Sequence, residues 1–297
     1  MNSHELSQEL QNKVIHKIFD IPYAEQSPSQ ILDIWYPNEE KEIYPVVVHI
    51  HGGGFCVGGH REDSLEPMLK ALERGYVLVS MEYRKSDEAR FPAMVYDAKA
   101  ALRFLKANAA TYKLDPDRIA LWGPSSGGWL AVMTALTDGN PAFEDRSMGH
   151  EKESSRVQAV VDWCGPCGYF NQMDEQLSES GKGTPDHGLP DSPEARFMGA
   201  PLEKIPELVR MASPCTYVNR EMPPVFIMHG SEDEIVPVQQ SVQLAEKIRN
   251  EAGEDKIEFH LIDGVKHHGR VWWHDDFAAE ISLDFIDRVL LEKGESK

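Results

Sequence analysis

The chain has 297 residues, a length that suits one α/β domain whose core folds without disulfides or metals. Asp and Glu number 49 against 30 Lys and Arg, which gives a net charge of −19. This acidity argues against nucleic acid or an anionic membrane as a partner, because both require basic patches.

The N-terminal stretch MNSHELSQELQNKVIHKIFD has neither the apolar region nor the cleavage site of a secretory signal. No stretch of the sequence approaches the roughly 18 apolar residues of a membrane span. Four cysteines are too few for a disulfide scaffold in a chain of this length. We therefore expect a cytoplasmic protein that has mostly reduced thiols and no membrane association.

Short apolar runs alternate with helical patterns, which predicts an α/β fold with a mostly parallel central sheet and helices on both faces. Several of the runs are apolar on both faces, as burial between two helical layers requires. The predicted strands are residues 31–36, 46–50, 77–82, 119–122, 157–162, 225–228 and 257–262, and the predicted helices are 93–109, 126–136, 238–251 and about 276–291.

The segment HGGGF (51–55) directly follows the predicted strand 46–50. Its three glycines let the backbone turn closely around a ligand with N–H groups exposed, which suits an oxyanion hole. A metal site is the rival interpretation, because His49 and His51 would share one face of a strand. No third ligand is evident beside them, so we expect no metal here.

The segment GPSSGG (123–128) contains G-x-S-x-G between a predicted strand and a predicted helix. This context is that of a nucleophile elbow, a turn so tight that side chains at Gly123 and Gly127 would collide. Ser125 would then stand above the sheet beside the N-terminus of the helix, which favours negative charge nearby. Without its context, the motif would be only a glycine-rich turn.

The next part of the chain contains a polar loop (137–156), the string WCGPC (163–167) and a segment rich in Gly, Pro and Asp. We interpret residues of about 165–211 as an insertion over the end of the sheet, a partial cap within a single domain of residues 1–297. The C-x-x-C string suggests a thioredoxin-like redox site.

A third constellation lies between residues 225 and 268. Asp233 follows one predicted strand, His267 follows the next, and a single helix separates the two strands. A right-handed crossover would make these strands parallel neighbours, so both residues would emerge at the carboxyl edge of the sheet together with Ser125.

These ordered motifs resemble the α/β-hydrolase superfamily, specifically its hormone-sensitive-lipase-like group. The closest resemblance is to bacterial acetyl-esterase and feruloyl-esterase-like carboxylesterases, from about residue 21 to the final helix. The matching strings are LDIWYP, HGGGF, EYR, DPDRIALWG, the elbow, SPCTYV, HGSED and GVKHHG.

The resemblance implies a serine carboxylesterase that cleaves short-acyl or small aryl esters through an acyl-enzyme, without a cofactor. It implies a catalytic triad of Ser125, Asp233 and His267, and an oxyanion hole formed by the backbone N–H groups of Gly53, Gly54 and Ser126. The chain departs from the family pattern at Ser126, where Ala is usual, and at His268, where Gly is usual. His268 is therefore a rival for the base. The sequence does not determine the oligomeric state, and a homo-oligomer is possible.

Two alternatives remain at this point. A thioredoxin-like oxidoreductase would use Cys164 and Cys167, with Pro223-Pro224 before a later strand. However, the residues after Cys167 begin a helix poorly, and that fold does not explain HGGGF or the elbow. The second alternative is a non-catalytic hydrolase fold that serves as a binding protein.

Overall fold

A computed structural model describes residues 5–273 and 275–292 of the chain. One eight-stranded sheet has the order β1-β2-β4-β3-β5-β6-β7-β8. The strands are β1 Lys17–Pro22, β2 Ile31–Trp35, β3 Tyr44–Ile50, β4 Val77–Met81, β5 Leu114–Pro124, β6 Ala159–Trp163, β7 Val225–Gly230 and β8 Ile257–Ile262. The helices are α1 Gln8–Lys13, α2 Lys70–Glu73, α3 Ala93–Ala107, α4 Ala109–Tyr112, α5 Ser126–Leu136, α6 Met173–Ser180, α7 Pro193–Met198, α8 Pro206–Met211, α9 Gln239–Glu251, α10 Arg270–Trp273 and α11 Asp276–Leu290.

The sheet is parallel from β4 through β3 and β5 to β8, and β2 runs antiparallel to both of its neighbours. Parallel strands require crossover connections, and α5 and α9 lie in two of them. The mostly parallel sheet that the sequence predicts is confirmed. Its parallel strands all end at one edge, which is where ligand sites lie in open α/β sheets.

The sheet separates two hydrophobic cores. Val46 and Val48 of β3 pack into the core that contains residues of α3 and α5. Val47, between them, packs into the other core with residues of α11. Because successive side chains of a strand point to opposite faces, a run such as PVVVHI is buried on both sides. Helices therefore cover both faces of the sheet, as predicted.

The observed strands differ from the predicted ones mainly at β1 and β5. β1 is not predicted, because Lys17 and Asp20 interrupt its short apolar pattern, and three of its six residues are exposed, as an edge strand allows. β5 begins at Leu114, earlier than predicted, because Leu114 pairs with Tyr44 before an irregularity in the ladder. The helix predicted at 126–136 has those bounds in the structure.

The segment between β6 and β7 contains the short helices α6, α7 and α8. Phe170 and Phe197 of this segment are buried in the same hydrophobic core as α3 and α5, so it packs on the body of the domain. In the part of the chain that the structure describes, no helix has the length and apolar character needed to cross a membrane.

Candidate active site

Ser125 lies at the turn between β5 and α5, with φ 53° and ψ −126°. This backbone conformation is unfavourable for a residue other than glycine and is typical of a nucleophile elbow. A Cβ on Gly123 would overlap the Gly127 carbonyl group and lie 2.7 Å from the Ile50 oxygen. A Cβ on Gly127 would lie 2.6 Å from the His51 oxygen. The elbow therefore requires glycine at both positions, as the sequence predicts.

Ser125, His267 and Asp233 form one chain of hydrogen bonds. The Ser125 hydroxyl lies 2.9 Å from Nε2 of His267. Nδ1 of the same imidazole lies 2.6 Å from Oδ2 of Asp233. Residues 142 and 34 positions apart in the sequence are thus brought into contact at the carboxyl edge of the sheet.

The Asp233 carboxylate is held by several donors. Its Oδ1 accepts hydrogen bonds from the backbone N–H groups of Ile235 and Val236, at 2.9 and 2.8 Å. Nε2 of His229, a residue to which the sequence assigns no role, lies 3.1 Å from its Oδ2. Burial alone would raise the pKa of Asp233, but His267 and His229 outweigh burial and hold that pKa below its usual range. Asp233 is therefore a carboxylate that fixes the orientation of His267.

His268, the rival for the base, lies on the surface. Its ring contacts the His267 ring edge-on, with centroids 4.9 Å apart. The two neighbouring histidines therefore occupy different environments, one buried in the hydrogen-bond chain and one exposed to solvent.

The glycine-rich loop after β3 lies beside the elbow. Gly53 and Gly54 have positive φ values of 121° and 57°. Within residues 5–273 and 275–292, the backbone N–H groups of these two glycines have no acceptor. Ser126 is the first residue of α5, so its N–H also lacks an intrahelical partner. Three backbone donors are thus unused around Ser125.

A buried polar network, which the sequence does not reveal, supports this loop from behind. Nε2 of His51 lies 3.0 Å from Glu82, and its Nδ1 lies 2.7 Å from the Gly52 carbonyl oxygen. Lys85 links Glu82 to the loop, because its Nζ donates to both the Glu82 carboxylate and the Gly58 carbonyl. The string EYR contains Glu82, but nothing in the string indicates this contact.

The network continues through His60, which lies 3.4 Å from Glu82 and 3.5 Å from Asp33. Burial would lower the pKa of His60, but hydrogen bonds to Asp33 and Glu82 outweigh burial and raise that pKa to about 9. His60 is therefore an imidazolium at neutral pH, between two carboxylates.

A cavity of about 390 Å³ opens above Ser125. Its floor is formed by the elbow and the glycine-rich loop, and its walls come from the 165–211 segment and from residues after Asp233. The lining residues are Gly54, Phe55, Ser125, Ser126, Pro166, Thr184, Asp186, His187, Pro193, Glu194, Glu234, Ile235 and Val236. Apart from the elbow and Gly54, the sequence singles out none of them as site residues, because they converge only in the folded chain.

Cys164 and Cys167 are buried and not bonded to each other. Burial is the main cause that raises the pKa of both thiols well above the usual value. The Cys167 thiol also donates a hydrogen bond to Asp162, which raises its pKa further. A redox-active C-x-x-C needs a lowered thiol pKa, so the thioredoxin-like alternative is not favoured.

The structure does not bring His49 and His51 together as ligands. His49 lies 3.1 Å from Ser80, and burial lowers its pKa to about 3. The groups of three potential metal ligands in the described residues are Cys164, Asp233 and His267, and Asp20, Asp33 and His60. Neither group contains His49 or His51.

Comparison with known proteins gives the following relationships. The BD-FAE family model matches residues 32–248. The chain is 31% identical over 250 residues to the esterase LipQ of Mycobacterium tuberculosis. The aligned region covers 84% of this chain and 56% of LipQ. The chain spans about half the length of the curated relatives it matches.

Two solved structures are similar over almost the whole chain. A truncated carbohydrate esterase from gut microbiota has a TM-score of 0.81 and 28% sequence identity, covering 96% of this chain and 98% of its own. A bifunctional GH43-CE protein of Bacteroides eggerthii has a TM-score of 0.79 and 31% identity, covering 92% of this chain and 38% of its own.

The charge of His60 makes stability depend on pH. Because the pKa of His60 is raised above the usual 6.5, the stabilisation of the folded state by its charge is complete below about pH 6.5. This stabilisation is lost as pH rises through about 9. We expect the wild type to have a higher free energy of unfolding than His60→Gln. This difference should be larger at pH 6 than at pH 10, by up to about 3 kcal/mol. Urea denaturation of both proteins across this range measures the difference. A difference that does not change with pH would contradict the charged network.

Proposed function

The chain belongs to the BD-FAE family and has the α/β-hydrolase fold, and on this premise we propose that it is a serine carboxylesterase. The observation that carries the proposal is the continuous hydrogen-bond chain from Ser125 through His267 to Asp233, which ends at a cavity. We also propose that residues 1–297 act as one hydrolase domain, with residues of about 165–211 as its partial cap.

In the acylation step, Ser125 attacks the ester carbonyl carbon while Nε2 of His267 takes the hydroxyl proton. The tetrahedral intermediate then collapses, and His267 donates that proton to the departing alcohol. Asp233 accepts a hydrogen bond from Nδ1 of His267, which fixes the imidazole tautomer and stabilises the imidazolium. Water then attacks the acyl-enzyme by the same route, so acid, alcohol and free Ser125 result without a cofactor.

The oxyanion of the tetrahedral intermediate is stabilised by the backbone N–H groups of Gly53, Gly54 and Ser126. Each such donor, aimed at the developing charge, contributes about 10²–10³ to the rate. The Ser126 side chain is compatible with this role, because only its backbone takes part. The buried network of His51 and Glu82 keeps the loop in place before the substrate arrives.

The substrates are short-acyl or small aryl esters. A long acyl chain gains about 0.8 kcal/mol for each buried methylene group, which requires continuous apolar lining. Polar and acidic residues (Thr184, Asp186, His187, Glu194 and Glu234) interrupt the lining of this cavity, whose volume is about 390 Å³. The free state of all four cysteines supports a cytoplasmic location.

A fluorophosphonate should label Ser125, because the reagent traps an activated serine at the transition-state position. Mass spectrometry of the digested protein locates the adduct, and Ser125→Ala should lower esterase kcat by about 10³-fold or more. An adduct elsewhere, or activity that survives the substitution, would contradict the assignment. Absence of both labelling and hydrolysis would favour a non-catalytic binding protein, and insulin reduction dependent on Cys164 and Cys167 would favour a redox enzyme.

The two neighbouring histidines give a matched pair of variants. His267→Ala removes the general base and should lower kcat by about 10²-fold or more. His268→Ala changes an exposed side chain outside the hydrogen-bond chain and should stay within a few-fold of the wild type. Steady-state kinetics on p-nitrophenyl acetate compares them, and the reverse ranking would show that His268 is the base.

Acyl-chain preference tests the substrate class. Across p-nitrophenyl esters from acetate to dodecanoate, kcat/KM should be highest between acetate and butyrate, because longer chains meet the polar lining. A maximum at long chains, together with activation at a lipid interface, would contradict this.

A further inference from the structure

His229 lies near the end of β7, and its side chain is fully buried. The four residues before it in the strand, VFIM, are apolar, so packing alone does not explain an imidazole at this position. Taking a polar ring out of water costs free energy unless its nitrogens are paired. The partners of the two ring nitrogens therefore indicate what His229 does.

Nε2 of His229 faces two acceptors. It lies 3.1 Å from Oδ2 of Asp233 and 3.0 Å from the carbonyl oxygen of Val236. A carboxylate and a carbonyl oxygen accept hydrogen bonds and cannot donate them, so Nε2 carries a proton. At the other edge of the ring, Nδ1 lies 2.7 Å from the hydroxyl of Ser241, which donates to it when the imidazole is neutral. The partners of His229 thus fix its tautomer.

Asp233 receives hydrogen bonds from two imidazoles on the same oxygen. Nδ1 of His267 lies 2.6 Å from Oδ2, the atom that His229 also contacts. Oδ1 is occupied by the backbone N–H groups of Ile235 and Val236. Burial would raise the pKa of Asp233, but the charge of His267 and the hydrogen bonds from His229 and His267 lower it. His229 is therefore one of the groups that keep Asp233 ionised.

The shared oxygen has two consequences for His267. The carboxylate of Asp233 cannot rotate without breaking its contact with His229, so its orientation towards His267 is held before a substrate binds. His229 also engages part of the negative charge on Oδ2, so less of that charge stabilises the His267 imidazolium. Because His267 must be free of its proton before Ser125 attacks, this balance decides how low the pH can fall before activity is lost.

We propose that His229 is a positioning residue of the esterase, which holds the Asp233 carboxylate towards His267 and sets how readily His267 accepts a proton. The inference rests on the proposed function and deepens it. His229 does not line the cavity above Ser125, so it acts through Asp233. The hydrogen-bond chain of the active site therefore extends beyond Asp233, through His229, to Ser241.

Three substitutions separate the donor of His229 from its volume. His229→Leu removes both nitrogens, His229→Gln places an amide N–H near the position of Nε2, and His229→Asn places its amide near Nδ1, beside Ser241. With p-nitrophenyl acetate, His229→Leu and His229→Asn should lower kcat by about tenfold or more with KM nearly unchanged, because a hydrogen bond to a charged group contributes about one to two orders of magnitude. His229→Gln should recover most of the loss.

The pH dependence of kcat/KM distinguishes positioning from a merely structural role. Its acid limb reports the loss of a proton from the base of the free enzyme. In His229→Leu and His229→Asn, the charge of Asp233 is no longer shared, so the His267 imidazolium is more stable. The acid limb should therefore move to higher pH, by about 0.5 pH unit or more. In His229→Gln, which retains the donor, the limb should stay near that of the wild type.

His49→Leu is the matched control. His49 is likewise a fully buried histidine on a parallel strand, and its Nδ1 lies 3.1 Å from a serine hydroxyl, that of Ser80. It is not hydrogen-bonded to the triad, so kcat should stay within a few-fold of the wild type and the acid limb should not move. The other titratable groups beside His267 are common to all these variants and are Glu234, Lys266, His268 and Cys164.

A measurement on the wild type does not depend on whether any variant folds. Nitrogen-15 NMR should show a proton on Nε2 of His229 at every pH at which the enzyme is active, and an Nε2 without a proton would overturn the inference.

The kinetic outcomes separate the two proposals. A loss of kcat in His229→Leu and His229→Asn without movement of the acid limb, or no recovery in His229→Gln, would indicate a structural role and overturn the positioning role, while the esterase stands. A limb that moves to lower pH would also overturn it, because Asp233 would then have lost its contact with His267. If the wild type hydrolyses no ester, the proposed function fails and the positioning role fails with it.

Discussion

The backbone contact between the elbow and the end of β3 determines the geometry of the whole site. A Cβ on Gly127 would overlap the Ile50 carbonyl oxygen, and a Cβ on Gly123 would also come too close to it. With no side chain between them, α5 and β3 lie backbone to backbone. Ser125 and the glycine-rich loop are therefore held close together, which the proposed oxyanion hole requires before a substrate arrives.

The parallel sheet brings the three hydrogen-bonded side chains to the same edge. β7 and β8 are adjacent and parallel, so the turns after them place Asp233 and His267 at the edge where β5 delivers Ser125. Further polar contacts support the residues of the site, as His229 contacts Asp233 and Glu82 contacts His51. These buried contacts hold the side chains in one arrangement, which reduces the reorganisation that the reaction needs.

The acids around the site differ in their pKa according to their partners. Asp233 interacts with His267 and His229, so its pKa is lowered despite burial. Glu194 is also buried, but its Oε2 has no partner among the described residues, and its pKa is raised. Burial is common to both, and only the hydrogen bonds and nearby charges differ. Equal burial therefore does not give the two acids the same pKa.

The sequence by itself determined the fold class, the elbow at Ser125 and the meeting of Asp233 with the turn that contains His267 and His268, because glycine spacing and strand–helix alternation are local signals. It also indicated which loop lies beside the nucleophile. It did not reveal β1, whose exposed edge residues lack an apolar pattern, nor choose between His267 and His268. Only the tertiary structure decided that His267 lies beside Ser125, that Glu82 supports His51, and that Glu194 lines the cavity that contains Ser125. Those contacts join residues distant in the chain, and no local pattern records which side chains will meet once the two cores are packed.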